Sequence, residues 1–286
     1  MGASFAAQIN RASLLAHLKQ LEGERHPFDS PDRLQTAQDY LHSHWRALGF
    51  HVVQDAFPYL GRTFVNLIAR PQPDRPGPRL IIGAHLDTVP GTPGADDNAS
   101  GLAALLEISR VFAAQPADLN LEFAAFTLEE LRMLGSTHYA QTLHAARVPL
   151  RGMLSLDMIA FTELQGRQQY PWFLRGRYPA IGNYIGLAAN HRSRALLETA
   201  ACAMRSIPGL PVETMLVPGN GWVFPECRLS DHAPFWDRGY PALLVTDTSF
   251  FRNPHYHQPT DTVETLDLDF LTNVTQGIVA VIEHLI

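Results

Sequence analysis

Cysteine is scarce in this chain of 286 residues, which contains only Cys202 and Cys227. A domain held together by disulfide bonds needs several closely spaced cysteines, so this composition excludes a small scaffold of that kind. Cys202 lies within a helical pattern, and we predict that both thiols are reduced. We therefore predict a cytoplasmic location, although the mature form of an exported protein would have the same composition.

Long apolar runs and an excess of positive charge are also absent. No apolar run reaches the ~18 residues that a membrane-spanning helix needs, and the first residues lack the charged start and apolar stretch of a secretory signal peptide. Lysine and arginine number 22 against 28 acidic residues, with no basic stripe to neutralise phosphates. These absences argue against membrane and nucleic-acid partners, and they leave the oligomeric state open.

The stretch 83–101 reads G-A-H-L-D-T-V-P-G-T-P-G-A-D-D-N-A-S-G and is the centre of the pattern. A branched apolar run before it predicts a buried parallel strand that ends at His85, and a helical pattern follows from Asn98 onward. His85 and Asp87 thus lie at the carboxyl end of a strand, and Asp97 lies where the next helix begins. Ligands bind at this edge of open α/β sheets.

Two further predicted strands lead to acidic residues. The apolar segment Asn120–Thr127 is followed by Glu129 and Glu130, and Gly152–Met158 contains Asp157 near its end. Because the carboxyl ends of parallel strands meet at one edge of a sheet, we expect these acids to lie close to the histidine of the first strand.

Helical and strand patterns alternate along the chain, which predicts an α/β fold. Further helices are predicted over Ala6–Glu22, Pro31–Leu48, Leu134–Ala145, His191–Ser206 and Leu266–Ile286, and further strands over Phe50–Gln54, Phe64–Ala69, Val212–Val217 and Pro241–Thr246. Residues 162–186 lack periodicity and are predicted to form an irregular excursion, either a lid over the site or a surface loop. The length and the globular composition favour a single domain over residues 1–286.

Five residues are candidate metal ligands: His85, Asp97, Glu130, Asp157 and His257. Each alone has a simpler explanation, such as a polar loop residue, a solvated helix start or one histidine among 13. Their joint occurrence favours a metal site, since two divalent ions held close together need nitrogen and oxygen ligands and one bridging carboxylate.

The order of these motifs resembles a known family. H-L-D, G-A-D-D-N-A-S-G, E-E followed by L-G-S, L-D-M, S-D-H and Y-H-x-P-x-D-T together are similar to the aminopeptidase Y family of co-catalytic zinc exopeptidases, from about Asn66 to the end of the chain. The resemblance implies a three-layer α/β sandwich with a central mixed, mostly parallel sheet flanked by helices. It also implies a small peptide or amide substrate, cleaved at its amino terminus, and two Zn²⁺ ions, for which manganese or cobalt can substitute.

The same resemblance assigns the residues. Asp97 would bridge the two ions, with His85 and Asp157 on one ion and Glu130 and His257 on the other. Glu129 corresponds to the general acid/base, which takes a proton from water and returns it to the leaving amine. Asp87 corresponds to the outer carboxylate that orients His85.

The sequence departs from the family in the loop before S-D-H. Secreted bacterial members often place a tyrosine there, near a disulfide, whereas Pro218–Leu229 holds Cys227 and no tyrosine. Asp231 and His232 of the motif either support the site or cap the helix that begins there.

Other functions fit parts of the same pattern. Glutaminyl cyclases share the fold and much of the ligand order but use one zinc ion, and the D-D-N and Y-H-Q-P-T-D-T segments favour the two-zinc peptidases. A carboxypeptidase or small-amide hydrolase would use the same metal chemistry with a different pocket. Peptidases with an inserted dimerisation domain need more room than the chain has between Asp157 and His257. A non-catalytic binding module would lack some ligands, and all five are present.

Overall fold

The computed structural model describes residues 4–114 and 118–286 and contains one eight-stranded sheet. The strands are β1 (His51–Tyr59), β2 (Arg62–Arg70), β3 (Arg79–His85), β4 (Asn120–Phe126), β5 (Leu150–Leu156), β6 (Ile185–Asn190), β7 (Val212–Val217) and β8 (Ala242–Thr246). The helices are α1 (Arg11–Leu21), α2 (Pro31–Ala47), α3 (Gly101–Ala114), α4 (Leu134–Ala145), α5 (Arg194–Met204), α6 (His232–Asp237) and α7 (Leu268–Leu285).

The strand order is β1-β2-β4-β3-β5-β8-β6-β7. The four central strands β4, β3, β5 and β8 run parallel to one another. β1 and β2 form an antiparallel hairpin at one side, and β6 and β7 form a parallel pair that joins β8 in antiparallel direction at the other. The prediction of a mixed, mostly parallel sheet is confirmed.

Helices cover both faces of the sheet. Because alternate residues of each strand point to opposite sides, a central strand contributes apolar side chains to the core on each face. Leu80 and Ile82 of β3 belong to the larger core, together with residues of α1, α2, α3, α5 and α7. Ile81 between them belongs to the smaller core, which includes residues of α4 and α6. Strands buried on both faces need the continuous apolar runs found in the sequence. The predicted three-layer sandwich is therefore confirmed.

One strand was not predicted. β6 has the sequence I-G-L-A-A-N, in which glycine and alanine have low strand propensity. Its first two residues lie in the segment predicted as an irregular excursion, and no element is predicted for the other four. Pairing with β7 and β8 in the sheet overrides that local preference. The predicted bounds of α4 and β7 agree with the structure, whereas the predicted first helix is divided into a short 3₁₀ turn, Phe5–Gln8, and α1.

Two further observations concern the helices and the cysteines of the described residues. Within residues 4–114 and 118–286, no helix combines the length and apolarity that crossing a bilayer requires. Cys202 is exposed and Cys227 is buried, and neither forms a disulfide bond in the described residues.

Candidate metal centre

The central strands β3, β4 and β5 deliver polar residues to one edge of the sheet. β3 ends at His85, β4 is followed by Glu129 and Glu130, and β5 is followed by Asp157. Asp97 comes from the turn before α3, and His257 comes from the loop between β8 and α7. We call five of these side chains the ligand cluster: His85, Asp97, Glu130, Asp157 and His257.

Asp97 lies between two histidines. Its Oδ1 atom is 3.1 Å from Nε2 of His85, and its Oδ2 atom is 3.2 Å from Nε2 of His257. His85 Nε2 is also 3.6 Å from Oδ1 of Asp157, and His257 Nε2 is 3.3 Å from Oε2 of Glu130. The cluster thus forms two groups of three side chains that share Asp97, and the ligand atoms of each group lie within 4.8 Å of one another.

The hydrogen bonding of His85 fits a bound cation. Its Nδ1 atom is 3.1 Å from the backbone carbonyl oxygen of Asp87, which can only accept, so Nδ1 carries the proton of the neutral ring. Nε2 then directs a lone pair toward the carboxylates of Asp97 and Asp157. Acceptors that face one another repel unless a proton or a metal ion lies between them. Glu130 gives a second sign of the same kind, since its buried Oε1 atom has no hydrogen-bond partner.

The crowding of acids shifts their pKa values in different directions. Burial, assisted by the charge of Asp97, raises the pKa of Glu130 to about 7. Burial also opposes ionisation of Asp97, but its hydrogen bonds with His257 and His85 outweigh that effect and lower the pKa of this carboxyl below its usual range. The three carboxylates of the ligand cluster outnumber its histidines, and a divalent cation would neutralise that excess.

Glu129 lies beside the ligand cluster, with a carboxylate oxygen within 4.8 Å of ligand atoms of His85 and Glu130. Burial raises the pKa of Glu129 well above its ordinary value, and the negative charges of Glu130 and Asp157 act in the same direction. A carboxyl group with a raised pKa at the wall of a cavity is suited to accept and return a proton near neutral pH.

Asp87 positions the chain that carries the two glutamates. Its buried carboxylate accepts hydrogen bonds from the backbone N–H groups of Glu129 at 3.0 Å and Glu130 at 3.2 Å. The expectation that this carboxylate orients His85 is wrong, because the backbone carbonyl of Asp87 makes that contact. The physical reason is that β4 ends at Phe126, so the N–H groups of Glu129 and Glu130 lie beyond the strand and donate to the carboxylate instead.

Two buried residues from distant segments hold the turn that carries Asp97. Asp261 accepts hydrogen bonds from the N–H groups of Asp96 at 2.9 Å and Asp97 at 3.1 Å. The fully buried Arg25 donates from Nη2 to the carbonyl oxygen of Gly94, where the turn begins, at 3.1 Å, and from Nε to that of Leu86 at 2.7 Å. Sequence analysis missed Arg25, because its partners are backbone carbonyls and no local pattern marks such a residue.

The S-D-H motif lies behind the cluster. Asp231 stands at the start of α6 but makes no side-chain capping bond, so the capping interpretation is wrong. Burial raises the pKa of Asp231 to about 7, and the charge of His85 opposes this rise. His232 contacts the backbone carbonyl of Cys227 with Nε2 at 2.8 Å and packs edge-on against Trp236.

A cavity of about 360 Å³ adjoins the ligand cluster and Glu129. Its opposite walls are apolar and aromatic, and they come from the excursion over residues 162–186, from β7 and from the loop before α6. The excursion contributes Tyr170, Leu174 and Tyr178 to the lining. The excursion therefore forms part of the cavity wall.

Tyr256 is a cavity residue that sequence analysis missed. Its ring stacks on that of His257, with the centroids 3.7 Å apart. Burial raises the pKa of the Tyr256 hydroxyl, and the charges of Asp97 and Glu130 raise it further, so the group stays protonated and can donate a hydrogen bond at neutral pH. The available signal was its place one residue before a candidate ligand, whereas we looked for a tyrosine in the loop Pro218–Leu229.

Comparison with known sequences places the chain among peptidases. A sequence profile of peptidase family M28 matches residues 66–282. The uncharacterized protein YfbL of Escherichia coli strain K12 is 31% identical over 266 residues, which cover 89% of this chain and 81% of that protein. The aminopeptidase YwaD of Bacillus subtilis is 30% identical over 189 residues, which cover 65% of this chain and 36% of the relative. The chain thus spans most of one relative and about a third of the other.

Solved structures share the fold at lower sequence identity. The aminopeptidase LapA of Legionella pneumophila superposes with a TM-score of 0.79 at 20% identity, over 98% of this chain and 72% of that one. The glutaminyl cyclase of Macrostomum lignano superposes with a TM-score of 0.78 at 18% identity, over 98% and 91%. Because one fold carries both activities, these superpositions establish the architecture only.

The profile match extends over every residue of the ligand cluster and over Glu129. Similarity to YfbL continues over nearly the whole chain. The family resemblance inferred from the motifs is confirmed, and with it the assignment as a peptide hydrolase. This chain belongs to peptidase family M28.

Proposed function

We propose that the protein is a zinc-dependent aminopeptidase, which removes amino-terminal residues from peptides. The observation that carries this proposal is the pair of three-residue groups sharing Asp97, with Glu129 beside them at the wall of a cavity. Aminopeptidases among the relatives and among the structural neighbours support it.

The ligand cluster would hold two zinc ions bridged by Asp97. His85 and Asp157 would complete one site, and Glu130 and His257 would complete the other. Imidazole nitrogen and carboxylate oxygen are donors that suit Zn²⁺. When bound, the ions supply Lewis acidity, which makes water a nucleophile near neutral pH and polarises the scissile carbonyl.

Proton transfer belongs to Glu129. It takes a proton from the attacking water and returns it to the leaving amine, and its raised pKa suits both directions near neutral pH. The hydroxyl of Tyr256 donates a hydrogen bond to the scissile carbonyl oxygen as negative charge develops there. Asp87 keeps Glu129 in place, because its carboxylate accepts a hydrogen bond from the backbone N–H of Glu129.

A free amino terminus suits this site. The carboxylates of the ligand cluster create a negative potential at one end of the cavity, which attracts an ammonium group. A volume of about 360 Å³ accommodates one large side chain and the adjoining amide. A peptide would therefore bind with its first side chain in the cavity and its later residues outside.

Glutaminyl-peptide cyclisation is the second candidate, because a glutaminyl cyclase shares the fold over nearly the whole chain. A one-zinc cyclase needs only one group of ligands. Here both groups have three side chains, which favours hydrolysis by two ions.

The test is a substrate panel assayed with zinc-loaded protein, with and without a chelator. The panel contains aminoacyl nitroanilides, their N-acetylated counterparts and glutaminyl peptides. We expect chelator-sensitive release from the free-amine substrates only. A cyclised product from glutaminyl peptides would favour the second candidate, and equal cleavage of the acetylated substrates would contradict an aminopeptidase.

A further inference from the structure

Glu213 lines the cavity from the wall opposite the ligand cluster. It lies on β7, where side chains alternate between the two faces of the sheet. Met215 and Val217 have the same parity as Glu213 and pack in the smaller core, on the cavity side. Leu216 and Val212 have the other parity and pack in the larger core. The side chain of Glu213, which is partly buried, thus points toward the space where we expect a substrate side chain.

Three tyrosines line the cavity together with Glu213, and we call them the tyrosine wall: Tyr170, Tyr178 and Tyr184. All three line the cavity, and the charge of Glu213 contributes to raising the pKa of Tyr170 and of Tyr178 after burial, the main cause. The rings of Tyr170 and Tyr178 stack at 5.9 Å, and the hydroxyls of Tyr170 and Tyr184 are 2.6 Å apart. The Tyr178 hydroxyl donates to the carbonyl of Thr214, the residue after Glu213, at 3.2 Å.

Glu213 has no cationic partner among residues 4–114 and 118–286, since none of their ion pairs includes it. In the described lining of the cavity, Arg132 is the one arginine or lysine, and it belongs to the opposite wall, two residues after Glu130. A carboxylate in a largely apolar cavity is costly unless a positive charge pairs with it. Aromatic faces also attract cations. The guanidinium of Arg252 already lies 4.4 Å from the ring centroid of Tyr184, so a substrate cation would contact Tyr170 and Tyr178.

We propose that Glu213 and the tyrosine wall bind the positively charged side chain of an amino-terminal lysine or arginine. The enzyme then prefers peptides with a basic first residue. This inference rests on the proposed function, because it names the substrate class of the same site. It adds a specificity-determining carboxylate that an apolar cavity for leucine or phenylalanine would not need.

Two pairs of aminoacyl nitroanilides isolate the charge. Lysine is compared with norleucine, and arginine with citrulline, because the members of each pair have nearly the same shape and differ in charge. We expect kcat/KM to be about 10- to 100-fold higher for the charged member of each pair, the range typical of hydrogen bonds to charged groups. A wild-type preference for norleucine and citrulline would overturn the proposal and leave the aminopeptidase assignment intact.

The variant Glu213→Gln keeps the shape of the side chain and removes its charge. We expect it to lose the preference for lysine and arginine while its kcat/KM for norleucine changes less than about threefold. Glu226→Gln is the matched control, because Glu226 also lines the cavity but comes from the turn Pro225–Arg228. A loss of preference in Glu226→Gln with retention in Glu213→Gln would overturn the assignment to Glu213.

Calorimetry provides a measurement that does not depend on turnover. Free L-arginine and L-citrulline are titrated into the zinc-loaded wild type and into Glu213→Gln. We expect arginine to bind at least tenfold more tightly than citrulline in the wild type and equally in the variant. Equal binding in the wild type contradicts the proposal, whereas tighter arginine binding without any nitroanilide hydrolysis supports it and contradicts the aminopeptidase function instead.

Discussion

The ligand cluster and the tyrosine wall bound the same cavity but are built in different ways. The cluster lies mainly at strand ends, and the carboxylates of Asp87 and Asp261 accept hydrogen bonds from the backbone N–H groups around it. The tyrosine wall belongs to an irregular segment that is held by side-chain hydroxyl groups, such as that of Tyr178 on Thr214. The difference indicates that the sheet fixes the chemistry, while the substrate preference can change without moving a metal ligand.

Exchange of Glu129 for Gln tests the chemical side of this comparison and has the largest expected effect. Gln keeps the shape but cannot take a proton, so we expect kcat to fall about 10²- to 10⁴-fold, the usual contribution of general acid–base catalysis. Zinc content, measured by atomic absorption, should stay at the wild-type value.

Glu130→Gln is the matched comparison, because the same exchange one residue later removes a predicted ligand. We expect this variant to lose zinc as well as activity. Wild-type kcat in Glu129→Gln would remove Glu129 from the mechanism, and loss of zinc in that variant would make it a ligand rather than a proton carrier.

Tyr256→Phe has the next largest expected effect. Removal of one hydrogen-bond donor to a developing oxyanion costs about 10²- to 10³-fold in kcat. KM and zinc content should change little, since the ring that stacks on His257 is retained. A change in KM alone would show that Tyr256 contributes to substrate binding and not to the chemical step. The distinction between the ligand cluster and the tyrosine wall would then be weaker.

The sequence predicted which residues meet in the ligand cluster better than it predicted which residues line the rest of the cavity. The candidate ligands occur in short motifs, most of them at the ends of apolar strands, so periodicity and residue type together predict that they meet. Asp261, which holds the turn of Asp97, also lies within a short motif, Y-H-Q-P-T-D-T. Arg25 and Glu213 belong to no such motif, because their environments arise only when distant segments meet in the fold.

Most of the fold was also predictable, because the central strands are apolar on both faces and the helices have apolar residues at helical spacing. β6 was the exception, since its small residues carry no strand signal and its place is set by pairing with neighbours. The cytoplasmic location stays a prediction, as do the number and identity of the metal ions.

Tyr178→Phe tests the wall and has the smallest expected effect. The exchange removes the hydroxyl that donates to the carbonyl of Thr214 and keeps the ring that stacks on Tyr170. A neutral hydrogen bond contributes about 1 kcal/mol, so we expect KM for a lysyl substrate to rise about fivefold while kcat stays within about twofold. Tyr240→Phe is the control, because its hydroxyl donates to the carbonyl of Val148 in the same manner but does not line the cavity. A tenfold fall in kcat at unchanged KM in Tyr178→Phe would show that the wall takes part in the chemistry, and the division between the two regions would then fail.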